Sequence, residues 1–349
     1  MEDLADRSAT ELARLVRVRE VSPVEVVEAC LARVERCNPA VNAVVTLNPR
    51  ALDDAGDLEL RLVRGEEVGL LAGLPVGIKD VTPVAGLRTT YGSPLYRDHV
   101  PAEDVALMLQ AVAGPSPLSP LSQPTAGRNF VAAAARGIPQ GLRVAYCPDI
   151  AGIGIDPAIA RVCRRAAVGL GELGAEVEEI ELDLSSGRKP FLALRGLWFV
   201  AQMFSRMDQL DRFGANVAGN IRAGLDTTTR DLGAAEAARA HVWHLFRELF
   251  GKFDHLLTPC MAVPPFPVDQ NYPDTVAGKQ METYVDWIAP TFLLSLTGLP
   301  VASVPCGLDP DGLPVGLQIV GKPQGEEAVL ALASQVQRRH PIGRPPLRG

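Results

Sequence analysis

Apolar and polar residues along this chain alternate between two periods, and the switches between them outline an α/β protein. Ser8-Ala9-Thr10-Glu11 and Ser22-Pro23-Val24-Glu25 both have the form of a capping box at a helix start. In that motif the serine accepts an orphan amide, the glutamate reaches back, and a proline fits the first helical position. After the second box, Val26, Val27, Cys30, Leu31 and Val34 recur at helical spacing, and Asn38-Pro39 is expected to stop the helix. Val41 to Leu47 reads as a strand, residues 50–64 as a charged helix, and Leu74 to Asp80 as a second strand. Asp104 to Ala113 reads as a helix ended by Gly114-Pro115. Next come a strand at Gly141 to Cys147, a helix at Asp156 to Leu173 closed by Gly174, and a strand at Ala175 to Leu182.

Residues 190–253 read as mostly helical, with breaks at Phe213-Gly214 and at 226–229. A short strand at His255 to Thr258 ends at Pro259, and Pro264, Pro265, Pro267 and Pro273 mark a long loop. A helix at Glu282 to Leu296, strands at Val301 to Val304 and Val315 to Val320, and a helix from Glu326 complete the pattern. Strands alternating with helices favour a mixed central sheet covered by helices. Gly-Leu-Pro-Val recurs at Gly73, Gly298 and Gly312, and each copy reads as a turn glycine followed by a strand-opening proline rather than as a repeat array.

Composition narrows the function classes. The chain has 349 residues, 47% hydrophobic and 21% charged, which is globular. A formal charge of −7, with a basic cluster only near the C-terminus, argues against nucleic acid as a partner. No apolar run approaches membrane-spanning length, so no membrane partner is expected. Cys30, Cys37, Cys147, Cys163, Cys260 and Cys306 are scattered without a CxxC pair and read as reduced, packed thiols of a cytoplasmic protein. His241 and His244 share a helix face, but no HExxH pattern or third ligand accompanies them, so no metal site is expected.

Lys79, in Gly73-Leu74-Pro75-Val76-Gly77-Ile78-Lys79-Asp80, is the candidate catalytic residue. An apolar run before a lysine can carry it into the interior, where lost solvation lowers its pKa and makes it a proton acceptor. The plainer alternative is a surface lysine paired with Asp80.

That segment, with Val84 to Pro94 after it, resembles the amidase signature family. Thr291 to Pro305 resembles the family's late helix and following strand, and Leu313 to Gly321 its last strand. The resemblance covers nearly the whole chain and implies a Ser-Ser-Lys hydrolase of carboxamides that needs no cofactor. It assigns Lys79 as the general base acting through a serine held on a cis peptide. It leaves substrate-binding residues unassigned, with Trp198, Phe199 and Met203 as candidates for a cleft wall.

The family's Gly/Ser-rich segment, which supplies nucleophile, second serine and oxyanion amides, has no counterpart here. The pattern runs to Asp104 and continues at Val105 as a later family helix, so an internal deletion joined near 103–106 is expected within a single 349-residue domain. Ser116, Ser119 and Ser122 lie among prolines and read as a linker, and Ser93, between Gly92 and Pro94, reads as a turn. Losing one oxyanion donor costs about two to three orders of magnitude in rate. Losing nucleophile, relay and oxyanion hole together implies a catalytically impaired or inactive protein. Three descriptions fit: an inactive amidase, a scaffold or amidotransferase-subunit-like partner protein, and a truncated gene product. Lost central strands would also leave unpaired edges, from which marginal folding, homo-oligomers or association with a relative are expected.

Overall fold

The computed structural model describes residues 3–342, apart from 70, 81–83, 85 and 101–126. The chain divides into two compact units, Met1–Ala126 with Pro345–Gly349, and Gly127–Arg344.

The first unit contains α1 (Ala9–Arg17), α2 (Pro23–Val41) and α3 (Ala51–Val63). Ser22 forms the complete reciprocal box: its hydroxyl accepts the Glu25 amide at 3.0 Å and the Glu25 carboxylate accepts the Ser22 amide at 2.7 Å. Ser8 accepts the Glu11 amide at 3.2 Å, but Glu11 pairs with Arg7 instead of reaching back. Leu12, Val16 and Val26 form the apolar centre, with Leu62 and Leu74 packed against it.

Two expectations in this unit are corrected. Pro39 does not stop α2. It lies in the last turn, which ends at Asn42 in the left-handed region (φ 46°). The strand expected at Val41 to Leu47 is absent because the Asn38 side chain takes both backbone groups of Val44, at 2.8 and 2.9 Å. An amide side chain thus occupies the donor and acceptor that a neighbouring strand would have used.

The second unit is built on a five-stranded mixed sheet. Its strands are β1 (Arg143–Tyr146), β2 (Glu176–Glu179), β3 (His255–Pro259), β6 (Val301–Leu308) and β7 (Pro314–Gly321), in the order β2-β1-β3-β7-β6. β1 runs parallel to β2 and β3, whereas β7 runs antiparallel to β3 and β6. A two-stranded hairpin, β4 (Thr275–Val276) with β5 (Lys279–Gln280), interrupts the long proline-marked loop.

Side-chain alternation along the strands explains the layering. Val144, Tyr146, Leu257, Leu317 and Ile319 enter one core, with α5 (Pro157–Gly169) and α10 (Glu326–Arg339). Ala145, Leu256 and Val320 enter the other, with α8 (Thr229–Lys252) and α9 (Ala289–Ser295). A sheet buried on both faces between helices is the α/β architecture the pattern predicted. Among the described residues the sheet's edges are β2, which carries Glu176, Glu178 and Glu179, and β6, which carries Pro305 and a register break between Pro305 and Gly307. Charge, proline and a bulge all discourage further strand pairing.

The remaining helices are α4 (Phe130–Ala135), α6 (Arg188–Met203) and α7 (Ala215–Leu225). The helix expected at Glu282 to Leu296 is shorter than read. Only Ala289–Ser295 is α-helical, preceded by a 3-10 turn at Asp286–Ile288. The Asp286 carboxylate folds back to accept the amides of Glu282 and Thr283, which competes with helix formation there.

α6 and α7 meet backbone to backbone. A Cβ added at Gly196 would lie 2.7 Å from the Gly224 Cα. Gly196→Ala is therefore expected to lose about 1–3 kcal/mol through overpacking. Gly219→Ala, also on α7 and with nothing within 4 Å of its added Cβ, should be neutral or slightly stabilising. Urea-unfolding midpoints of the two variants provide the comparison.

Candidate functional site

The segment around Lys79 is anchored at both ends. At the start, Gly73 sits at φ +82° in close contact with Val16, and Leu74 packs onto the three-helix centre. At the end, Asp80 is the organising residue. Its carboxylate accepts the Thr90 amide at 2.8 Å, the Thr90 hydroxyl and, at 3.4 Å, the Gly92 amide. Its backbone carbonyl accepts the Tyr91 amide at 2.9 Å. Partial burial works against the charged form, but the Thr90 and Gly92 hydrogen bonds, with Arg88 nearby, outweigh it and hold the carboxyl below its ordinary pKa. The Thr90 and Tyr91 positions are fixed in turn by the Thr89 amide, which donates to the His99 carbonyl at 3.0 Å.

Between these anchors the chain is neither a strand nor buried. Residues 74–79 are irregular, Val76 and Ile78 are 45% and 42% exposed, and Lys79 is exposed. This corrects the expectation of a strand delivering Lys79 to the interior. A strand needs a neighbour for its amides and carbonyls, and among the described residues none runs beside this segment. The pairing of Lys79 with Asp80 is not formed either, because Thr90 and Gly92 occupy the carboxylate.

No described serine hydroxyl is hydrogen-bonded to Lys79. Ser93 lies in a turn, where its amide donates to the Thr90 carbonyl and its hydroxyl accepts the Leu95 amide at 3.4 Å. The join near 103–106, the helix expected at 104–113, and Ser116, Ser119 and Ser122 lie outside the described residues.

In the second unit, Trp198 is 55% exposed and meets Phe199 edge-on with ring centroids 5.2 Å apart. Phe199 also receives the Arg195 guanidinium, 4.9 Å from its centroid. Arg195 is the centre of a polar group that sequence reasoning missed. It donates to Asn220 at 3.1 Å and to the Tyr284 hydroxyl at 2.9 Å, and Asn220 donates to the same hydroxyl at 2.6 Å. These residues come from α6, α7 and the segment before α9, so no local spacing could have grouped them.

Cavities among the described residues of this unit include the following pair. One, of about 1050 Å³, opens beside β2 and the end of α8 and is lined by Glu176, Glu178, Glu181 and Glu248 over Leu249 and Phe253. The other, of about 210 Å³, lies among Pro264, Phe266, Trp287 and Val315. Neither contains a residue of the Lys79 segment. His241 and His244 are exposed on α8, and among the described residues no cluster of potential metal ligands occurs. No described helix is long and apolar enough to cross a membrane.

Comparison with known proteins places this architecture. The chain is 25% identical over 463 residues to an acylamidase of Rhodococcus erythropolis, covering 96% of this chain and 95% of the relative. An alignment of that length exceeds the chain's own 349 residues by 114, so at least that many of its positions face gaps on this side. The chain is also 23% identical over 482 residues to a glutamyl-tRNA(Gln) amidotransferase subunit of Geobacter sp. (strain M21), covering 96% and 98% of the two chains. The fold matches the crystal structure of a bacterial aryl acylamidase of the amidase signature enzymes with a TM-score of 0.86, at 21% identity, covering 97% of this chain and 99% of that one. The family model described as Amidase matches residues 25–104 and 101–330, two segments that meet at 101–104. With both halves matched, this chain belongs to the Amidase family, that of the amidase signature enzymes.

Proposed function

We propose that this protein descends from a carboxamide hydrolase and no longer turns over amides, because the segment that carried its serines and oxyanion amides is missing at 103–106. The exposed Lys79 segment carries this reading. An apolar run that should be the strand supporting a general base is left unpaired among the described residues. The meeting of the two family matches at 101–104 supports the position of the loss, and the surplus length of the acylamidase alignment supports its size.

The chemistry follows from what is left. Amide cleavage needs an activated oxygen, a proton for the leaving nitrogen, and donors aimed at the developing oxyanion. An exposed lysine with no described serine hydroxyl bonded to it has no oxygen to activate. The relatives that are amidotransferase subunits support a second reading, in which the chain works as a binding partner within an assembly.

Hydrolysis of simple aryl and aliphatic amides by the purified chain tests the proposal. Rates equal to buffer background, unchanged in Lys79→Ala, are expected. Turnover above background that disappears in Lys79→Ala, or labelling of one serine by a fluorophosphonate probe that depends on Lys79, would overturn it.

A further inference from the structure

Two cysteines far apart in sequence meet in the core of the second unit. The sulfurs of Cys163, on α5, and Cys306, on β6, lie 3.9 Å apart, and both residues are 0% exposed. Apolar packing alone explains a buried cysteine, but three further observations go beyond packing.

The first is the backbone at Cys306. β6 pairs Pro305 with Gly316 and Gly307 with Val315, so Cys306 is the residue left over at the bulge. A bulged residue is free of the ladder and can shift without breaking paired hydrogen bonds. The second is the charge beside it. Arg165, two residues after Cys163 on the same helix, brings its guanidinium to 3.6 Å from where a Cβ on Gly307 would sit. The Cys163 thiol, with help from Arg165, favours the Cys306 thiolate against the cost of burial, while Cys163 is shifted the opposite way. The third is the setting of Cys163, whose sulfur also faces the Gly316 carbonyl at 3.7 Å, so that it is held between β6 and β7.

We infer that Cys163 and Cys306 are a redox modification site, converted by peroxide into a disulfide that ties α5 to the bulge of β6. A disulfide needs its sulfurs at about 2.05 Å, so the pair must close by about 2 Å through side-chain rotation and movement of the bulge. The Cys306 thiolate attacks one oxygen of hydrogen peroxide and the O–O bond breaks. The departing hydroxide takes up a proton as water, leaving Cys306 as the sulfenic acid. The Cys163 sulfur then attacks the sulfenic sulfur, the S–O bond breaks, and the second hydroxide leaves as water with the Cys163 proton. Two thiols are oxidised to one disulfide, and one peroxide is reduced to two waters. Full burial makes access of peroxide the slow step, so the adjacent Cys163 thiol consumes the sulfenic acid before a second oxidant molecule arrives.

Cys260 is the competing thiol. It is only partly buried, it accepts a hydrogen bond from the Ser303 hydroxyl at 3.3 Å, and it too lies against Gly316.

The test is peptide mapping of the native 349-residue chain after hydrogen peroxide treatment, with free thiols blocked before digestion. The expected product is a Cys163–Cys306 cross-linked peptide lighter by two hydrogens, restored by dithiothreitol, with a raised thermal midpoint in the oxidised form. Cys260→Ser should leave its yield unchanged. In Cys163→Ser the cross-link should be lost and Cys306 should advance to sulfinic acid. Native protein in which both thiols stay reduced while the half-buried Met203, Met207 or Met261 oxidises, or in which Cys260 supplies the cross-link, overturns the proposal. Wild-type mapping alone decides it if a serine variant fails to fold.

Discussion

Replacing Asp286 with alanine is expected to cost about 3 kcal/mol of unfolding free energy, an effect near the top of the range for a single side chain. Asp286 is 5% exposed and serves two groups at once. One oxygen accepts the Arg188 guanidinium at 2.7 Å, which ties the start of α6 to the segment before α9. The other accepts the amides of Glu282 at 3.0 Å and Thr283 at 2.7 Å. Arg188 is about a third exposed, so water can reclaim it. The larger share of the loss should come from two backbone amides left without an acceptor. Asp286→Asn keeps the shape and one acceptor and should lose less. Urea unfolding of both variants alongside Arg188→Met separates these terms. A loss below about 1 kcal/mol in the alanine variant would show that the amides find other partners.

Acid should weaken the second unit chiefly through one buried histidine. His255 opens β3 at 3% exposure, and neither ring nitrogen has a hydrogen-bond partner. Burial pushes its pKa down from 6.5 to about 4; Asp254 opposes the shift and Lys322 reinforces it. The sign follows from proton uptake. Between pH 6.5 and about 4 the unfolded chain binds a proton that the folded chain refuses. Stability is therefore whole above pH 6.5 and falls as the pH is lowered, by about 3 kcal/mol at the end of the window. Asp254, held below its ordinary value against burial by Lys322 and Arg143, begins to matter only at lower pH. His340 is shifted in the same direction as His255 by partial burial and by Arg339 and Arg165, so it adds to the slope. Denaturant midpoints measured from about pH 7.5 to about 4.5 should drop in the wild type and nearly level out in His255→Leu. An equal slope in both would remove His255 as the cause.

Local signals in the chain were sufficient where the structure uses local chemistry. The Ser22 box, the Gly174 cap at φ +88°, and the alternation through β1, β3 and β7 all have causes within a few residues. The expectations that failed depended on distant partners. Leu74 to Asp80 has strand composition, but a strand exists only beside another strand, and no described one lies there. Val41 to Leu47 failed because Asn38 reached Val44 first. Glu282 to Asp286 failed because a carboxylate took the amides a helix would have used. The site shows the same division. Lys79 was legible as part of a motif, but its exposure was not, since burial depends on what packs above it. The contact between Cys163 and Cys306 spans 143 positions, a distance no periodicity records.

All the pairing in the five-stranded sheet is drawn from positions between Arg143 and Gly321. Among the described residues, the stretch that bears Lys79 contributes no strand to it. Heredity can therefore rewrite one stretch without disturbing the ladder of the other, and the two can drift at separate rates.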